Sequence, residues 1–294
     1  MTNSLITVSA VVFSDRAGRI LTVRKRGTGR FMMVGGKPEG DETPRATAIR
    51  EAHEETGIAL GWDDLTLLGR WRESAANEAG HSVRSTVFCA RQPLEDVPEV
   101  MNEIADARWL DPAGSLPGDL APLLEHCILP GLADRDRAAR AGEGSAPAWD
   151  LDDLDQAVFG DTPAMHDRLA ALVADGRKQA TSSLLADYEA AGEAPPADGA
   201  LAYLTDSRGA LLGLVETLRC RVVPLGEVDD DFARREGEGF ADAAQWRRAH
   251  EQFWGRGHLG DDTPVVTEEI GFTPHRTAPA QGRLPRPHTG ARAV

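Results

Sequence analysis

The tightest constraint in this chain is a knot of acidic side chains that only a helix with a cationic partner can hold. Glu51, Glu54 and Glu55 fall in a stretch opened by Thr43, an N-cap residue type, and Pro44, suited to the first helical position, and closed by Gly57. These signals predict one helix over residues 44–56. Three carboxylates spaced three and four apart project on neighbouring faces and repel, by a few tenths of a kcal/mol per exposed pair and more when partly buried. The arrangement calls for a cation. Clustered carboxylate oxygen, with no thiolate or paired imidazole nearby, favours a hard ion, Mg²⁺ or Mn²⁺, over zinc. A solvated helix face is the alternative reading of an isolated acidic run.

What flanks the helix predicts a sheet. Residues 5–13 and 19–25 have the β-branched richness of strands and are joined by a hairpin-like Ser-Asp-Arg-Ala-Gly turn; further strands are expected at 65–72 and 82–90, and an apolar helix at 120–129. With 294 residues, two compact units are expected. The boundaries read as a first domain over 1–130, an Ala/Arg/Gly/Pro-rich linker over 131–156, a second domain over 157–272, and a disordered Pro- and Arg-bearing tail over 273–294. The second domain reads as mixed: a helix through Met165, Leu169 and Val173, strands at 200–205, 211–217, 220–223 and near 264–272, and a helix whose Trp246, Phe253 and Trp254 suit a buried face.

The early apolar stretch is far shorter than the ~20 residues of a membrane span, and the first residues lack the pattern of an export signal, so no membrane partner and a cytoplasmic location are expected. The formal net charge is −15, and residues 131–272 hold 28 acidic against 14 basic side chains, which disfavours nonspecific grip on long nucleic acid. Cys89, Cys127 and Cys220 are too scattered for a disulfide framework or zinc knuckle. Only Lys25, Lys37 and Lys178 are lysine among 32 basic residues, so each lysine marks a place where arginine was not used.

The segment Gly36-Lys-Pro-Glu-Gly-Asp-Glu42 with Arg50-Glu51-Ala52-His53-Glu54-Glu55-Thr56-Gly57-Ile58 resembles the Nudix box, Gly-x5-Glu-x7-Arg-Glu-U-x-Glu-Glu-x-Gly-U, U being a bulky aliphatic residue. Ala52, at the first U, is the one departure. The resemblance covers about residues 4–130 and implies an α/β/α sandwich that hydrolyses a nucleoside diphosphate linked to another moiety. By that resemblance Glu51, Glu54 and Glu55 hold the divalent ion, and Arg50 and Glu42 orient them. Gly35 and Gly36 let backbone approach phosphate, and Lys37 is a candidate phosphate contact. The base is Glu51 or Glu55, or lies outside the box at Glu99 or Glu103. Asn77 and His81 are candidate substrate contacts.

Phe159-Gly160-Asp161, Gly176-Arg177-Lys178-Gln179-Ala180-Thr181, Val215-Glu216-Thr217 and Glu236-Gly237-Glu238-Gly239 resemble an ASCH domain, a relative of PUA-type β-barrels, over about 157–272. The fold class expected for the chain is therefore α/β: a Nudix sandwich followed by an ASCH β-barrel with helices. Some ASCH enzymes deacylate N4-acetylcytidine with a Lys, a Thr three residues later and a Glu on a later strand. The resemblance carries those roles to Lys178, Thr181 and Glu216, and implies a modified nucleoside or RNA as ligand, whether hydrolysed or only bound. Ser183 stands where the deacylase pattern has arginine. An alternative from another class is an RNA-associated binding protein whose Nudix module is degenerate; the complete set of box glutamates speaks against it.

Overall fold

The computed structural model describes residues 4–76, 80–138, 148–275 and 292–293. The chain forms two compact units that divide after Leu151. No helix among the described residues is long and apolar enough to cross a membrane.

Unit 1 is built on a four-stranded sheet. Strand β1 (Ser4–Val12) is followed by β2 (Ile20–Lys25), β3 (Val34–Gly36), helix α1 (Pro44–Thr56), β4 (Leu65–Ser74), β5 (His81–Ala90) and β6 (Ile104–Leu110). The sheet order is β3-β1-β5-β4, and β2 pairs with β6 in a second, two-stranded ribbon. β1 and β5 run parallel from Ser4↔His81 to Val12↔Cys89, whereas β3 joins β1 antiparallel, with Ser9 opposite Gly36. α1 occupies the predicted span. Thr43 is extended but its hydroxyl makes no cap bond, and Gly57, at φ 68°, closes the helix by donating its N–H to His53 O. Ala48 and Ala52 are fully buried on its inner face. The small Ala52, at the departing box position, lets α1 sit close on β1 and β3.

Ala10 and Val12 of β1 join Trp71, Val87, Leu124 and Ile128 in the main core of this unit. A π-helical turn, Leu124–Ile128, leads directly into helix α2 (Leu129–Ala138). The structure here departs from the linker expected over 131–156. Its first eight residues are helix, with Leu132 and Asp134 buried. Trp149 packs on the core, against the bare backbone of Gly69 and the ring of Trp71, while Asp150 pairs with Arg84 at 2.7 Å. Ala/Arg/Gly-rich composition hid these anchors because two large residues, and not an apolar stripe, supply them. Residues 139–147 of that stretch, and Asn77, lie outside the described residues.

Unit 2 holds a six-stranded sheet curled as a half-barrel. Its elements are β7 (Asp155–Val158), α3 (Pro163–Ala174), β8 (Ala180–Leu184), α4 (Leu185–Ala191), β9 (Leu201–Thr205), β10 (Leu211–Pro224), α5 (Asp230–Arg235), α6 (Ala243–Phe253), β11 (Pro264–Pro274) and β12 (Arg292–Ala293), in sheet order β12-β7-β9-β10-β11-β8. The two strands expected at 211–217 and 220–223 are one strand with a bulge between Thr217 and Arg219. Thr162, Asp229 and Asp242 cap α3, α5 and α6 through their side-chain oxygens. Trp246 of α6 is fully buried as expected, but Phe253 is 44% exposed. Of the tail expected over 273–294, residues 273–274 complete β11 and residues 292–293 pair with β7; residues 276–291 lie outside the described residues.

Candidate functional site

α1 brings Glu51 to the wall of a cavity of about 520 Å³ in unit 1, with Glu54 and Glu55 beside it on the helix. Arg50 is the local organiser. Its guanidinium grips Glu42 in a two-point pair (2.9 and 3.0 Å), and one nitrogen, Nη1, donates to both Glu51 Oε1 and Glu54 Oε2 at 2.9 Å. It also donates to Lys37 O at 2.8 Å, fastening the glycine loop to the helix. This clamp holds the Glu42 carboxyl far below its usual range, at about 2. A Cβ at Gly36 would collide with the Glu51 carboxylate, and one at Gly35 with Ser9 O, so both glycines are required for close approach.

Glu55 is the buried member of the set. Gly35 N–H donates to its Oε2 at 2.9 Å, and Lys25 Nζ lies 3.1 Å from Oε1, off the hydrogen-bonding direction, so Oε1 is buried without a hydrogen bond. Burial drives its pKa up to about 7 against the opposing pull of Lys25 and Gly35. Burial likewise raises Glu51, against Arg50. Lys25 bridges to Glu103, which the loop after β5 delivers: Met101 N–H donates to Glu55 O, Asn102 to Glu54 O, and Arg26 N–H to Glu103 O. Burial works to lower the Lys25 pKa, but the facing carboxylates outweigh it and raise it.

Among the described residues no three acid, imidazole or thiolate groups already converge as a metal cluster, because Arg50 and Lys25 stand between the carboxylates. The donor chemistry nonetheless fits a hard divalent ion: Glu42, Glu51, Glu54 and Glu55 all offer carboxylate oxygen, and Glu55 Oε1 is buried with the Lys25 ammonium as its ion-pair partner and no hydrogen bond.

In unit 2, Lys178 and Thr181 line one cavity of about 250 Å³, together with Ser182, Glu236, Glu238 and His250. Lys178, almost wholly buried, pairs with Glu236 Oε2 (3.4 Å) and Glu238 Oε1 (3.0 Å). Ser182 Oγ donates to Glu236 Oε1 at 2.6 Å, and His250 Nε2 lies 3.3 Å from Oε2. Burial alone would raise Glu236, but Lys178, then His250 and Ser182, hold it low, at about 2. Gly237 makes this possible. At φ 71° it presses on the Arg177 carbonyl, where any Cβ would clash, and so folds both glutamates over Lys178.

Glu216 does not join them. It is buried on β10, but Lys178 pairs with Glu236 and Glu238 instead, and Glu216 is absent from the walls of this cavity. Strand alternation gives the reason: Val215 and Thr217 turn to the side where a smaller chamber meets Thr181 and Glu268, which puts Glu216 on the other face.

Comparison with known proteins agrees with this division. Residues 4–127 match the family model of the NUDIX domain, and residues 155–272 match that of the ASCH domain. The chain carries a Nudix domain followed by an ASCH domain. A MutT-like protein of Streptomyces ambofaciens is 32% identical over 107 residues, 36% of this chain and 64% of that protein, so the chain spans just under two thirds of its relative's length. Among solved structures, an ASCH domain from Lactobacillus crispatus is 27% identical, covering 40% of this chain and 81% of that one, at a TM-score of 0.36. A MutT Nudix hydrolase from Burkholderia pseudomallei is 24% identical, covering 43% and 96%, at 0.37. Nudix proteins generally use a divalent metal.

Sequence reasoning brought Arg50, Glu51, Glu54, Glu55, Gly35 and Gly36 of the Nudix site together. The side chain of Lys37 is exposed at the mouth, and what it supplies to the clamp is its carbonyl. The only sequence signal at Lys25 is its rarity as a lysine. Glu236 and Glu238 stand in a visible motif, but their partner Lys178 is set by the fold of the Gly237 turn.

Proposed function

We propose that the Nudix domain hydrolyses the pyrophosphate linkage of a nucleoside diphosphate-linked substrate with Mg²⁺ or Mn²⁺, and that the chain works in the cytoplasm. The observation that carries the reading is Glu51, packed on Gly36 and joined to Glu54 through Arg50, on the wall of a cavity large enough for a nucleotide moiety. Water attacks one phosphorus, the bond from that phosphorus to the bridging oxygen breaks, and the departing phosphate takes the electron pair. Glu51, Glu54 and Glu55 would hold the ion, which, when bound, neutralises phosphate charge and acidifies water. Lys25 and Lys37 add fixed positive charge beside the phosphates. Arg50 positions the carboxylates. Glu103, a carboxylate on the cavity wall paired with Lys25, would take the proton of the attacking water.

The test is release of phosphate or pyrophosphate from nucleoside triphosphates, ADP-ribose, dinucleoside polyphosphates and capped RNA, with and without metal. Glu54→Gln should lower turnover by about 100-fold or more with Mg²⁺ while leaving the melting midpoint unchanged. Full activity of this variant, or equal activity in EDTA, would remove the assignment.

For the ASCH domain we propose binding of a modified nucleoside or base, free or within RNA. Support comes from the cavity that Lys178 and Thr181 share, with Phe240 and Phe253 on its wall beside the charged groups. The carboxylate partner of Lys178 in any hydrolysis there is Glu236 or Glu238, not Glu216.

A further inference from the structure

The carboxylates of the Lys178 cavity in the ASCH domain are all engaged. Glu236 Oε1 accepts from Ser182 Oγ, and its Oε2 faces Lys178 at 3.4 Å and His250 at 3.3 Å. Glu238 Oε1 accepts from Lys178 at 3.0 Å and its Oε2 from Arg168 at 2.9 Å. These two are the acidic side chains on the cavity wall among the described residues, so what the wall still offers a ligand is donors.

Arg168, on α3, is the donor that reaches solvent. It lines the cavity with its side chain 53% exposed. Among the described residues Glu238 is its one hydrogen-bond partner, met by Nη2, which leaves Nε and Nη1 of the fork to a ligand. The Glu238 contact does not account for the residue. Lys178, almost wholly buried, already fixes that carboxylate, and a further pair to a half-exposed arginine adds little stability. What the pair achieves is a planar cation steadied at one corner, the form in which arginine meets phosphate.

Size and charge limit the ligand. At about 250 Å³ the cavity is smaller than the roughly 300–1,000 Å³ of sites that enclose a whole small molecule. It suits a base, against the rings of Phe240, His250 and Phe253, with sugar and phosphate directed outward to the half-exposed Arg168. Residues 131–272 hold 28 acidic against 14 basic side chains, a field that repels a long phosphate backbone running on from the cavity. A single terminal phosphate needs one cation. Resting on the nucleoside reading of this domain, we infer that Arg168 is a phosphate contact and that the ligand is a free nucleoside 5′-monophosphate. The class of reaction that supplies such a ligand is hydrolysis of a nucleoside triphosphate or diphosphate derivative that leaves one phosphate on the 5′ oxygen, which is the chemistry proposed for the Nudix domain.

Calorimetry on the full-length chain in EDTA tests this apart from turnover. It would compare cytidine and N4-acetylcytidine with their 5′-monophosphates, and with a short RNA that holds N4-acetylcytidine internally. Wild-type protein should bind at least one 5′-monophosphate about tenfold or more tightly than its nucleoside, the worth of a hydrogen bond to a charged group. Arg168→Ala should erase that ratio and Arg168→Glu should invert it, while the RNA should bind more weakly than the monophosphate. A ratio retained in Arg168→Ala, or tighter binding of the RNA, would overturn the inference. Equal binding of nucleoside and monophosphate by wild type would overturn it and leave the nucleoside reading standing, whereas no binding of any of these ligands would overturn both. A preference for the monophosphate that depends on Arg168, in a chain that hydrolyses no nucleotide with Mg²⁺, would uphold the inference and overturn the hydrolase reading alone.

Discussion

Asp150 offers the most quantitative check on how the Nudix domain is held together. Its carboxylate accepts from Arg84 Nε at 2.7 Å, with the two side chains only 4% and 7% exposed. Its backbone exchanges with Arg70 as well: Asp150 N–H donates to Arg70 O at 2.8 Å and Arg70 Nη1 to Asp150 O at 2.9 Å. Removing one partner of a buried pair costs about 3–5 kcal/mol, because the remaining charge stays desolvated. Asp150→Asn keeps an acceptor, so the lower end applies, about 3 kcal/mol. For a unit of this size each kcal/mol moves the midpoint by about 2–4 °C, which predicts a fall of roughly 6–12 °C. Differential scanning calorimetry of the full chain reads it, in the transition that belongs to unit 1. Arg84→Met alone and with Asp150→Asn completes a double-mutant cycle, in which the two losses should fall well short of adding. A shift below about 2 °C, or additive losses, would refute the reasoning. The same contacts fix where the domain can be cut. A fragment of residues 1–151 should be soluble and active, whereas residues 1–134 alone lose Trp149 and Asp150 and should not fold stably.

Gly36→Ala should drive the Glu51 carboxylate from its place, with a roughly 100-fold loss in kcat for a displacement near 1 Å; it is read by metal-dependent turnover, and unchanged kcat would show that the loop yields instead. The ASCH domain should carry an acid-labile increment from Glu236. Its folded pKa, about 2, lies below the ordinary 4.5, so the stabilisation is complete above pH 4.5 and is lost as pH falls toward 2. That increment is of the order of 3 kcal/mol and should be missing from the pH profile of Glu236→Gln, measured by urea unfolding; parallel profiles would contradict it. Lys178→Arg keeps the charge but replaces a point donor by a wider fork, so it should weaken nucleoside binding by the ASCH domain about tenfold or more in equilibrium dialysis, and undiminished binding would show that charge alone suffices.

What could be read in advance followed the range of the interactions. α1 was legible to the residue because Pro44 and Gly57 punctuate it locally and the acidic spacing is a helical one. Four strands of unit 1, β1, β2, β4 and β5, are legible from their own β-branched runs, whereas β3 and β6 exist through their pairing with β1 and β2. The half-barrel was harder: β10 reads as two strands, because a bulge is a property of the pairing with β11 and not of the residues beside it. Pairings across the fold were invisible. Glu216 has the right residue type on a buried strand, yet the cavity is completed by Glu236 and Glu238, brought in by a left-handed glycine on a distant turn.

Lysine usage nevertheless pointed at both sites, and the structure supplies the physical reason. Lys25 and Lys178 are each held between two carboxylates, Glu55 with Glu103 and Glu236 with Glu238, that lie far from the lysine in sequence. A guanidinium spreads its donors over a fork that matches one carboxylate side-on, which is how Arg50 grips Glu42. An ammonium concentrates its charge on one nitrogen whose three donors point apart, so it can stand between two carboxylates in a narrow space. In a chain that otherwise writes its basic positions as arginine, Lys25 and Lys178 therefore each mark a point on a cavity wall where one cation stands between two carboxylates.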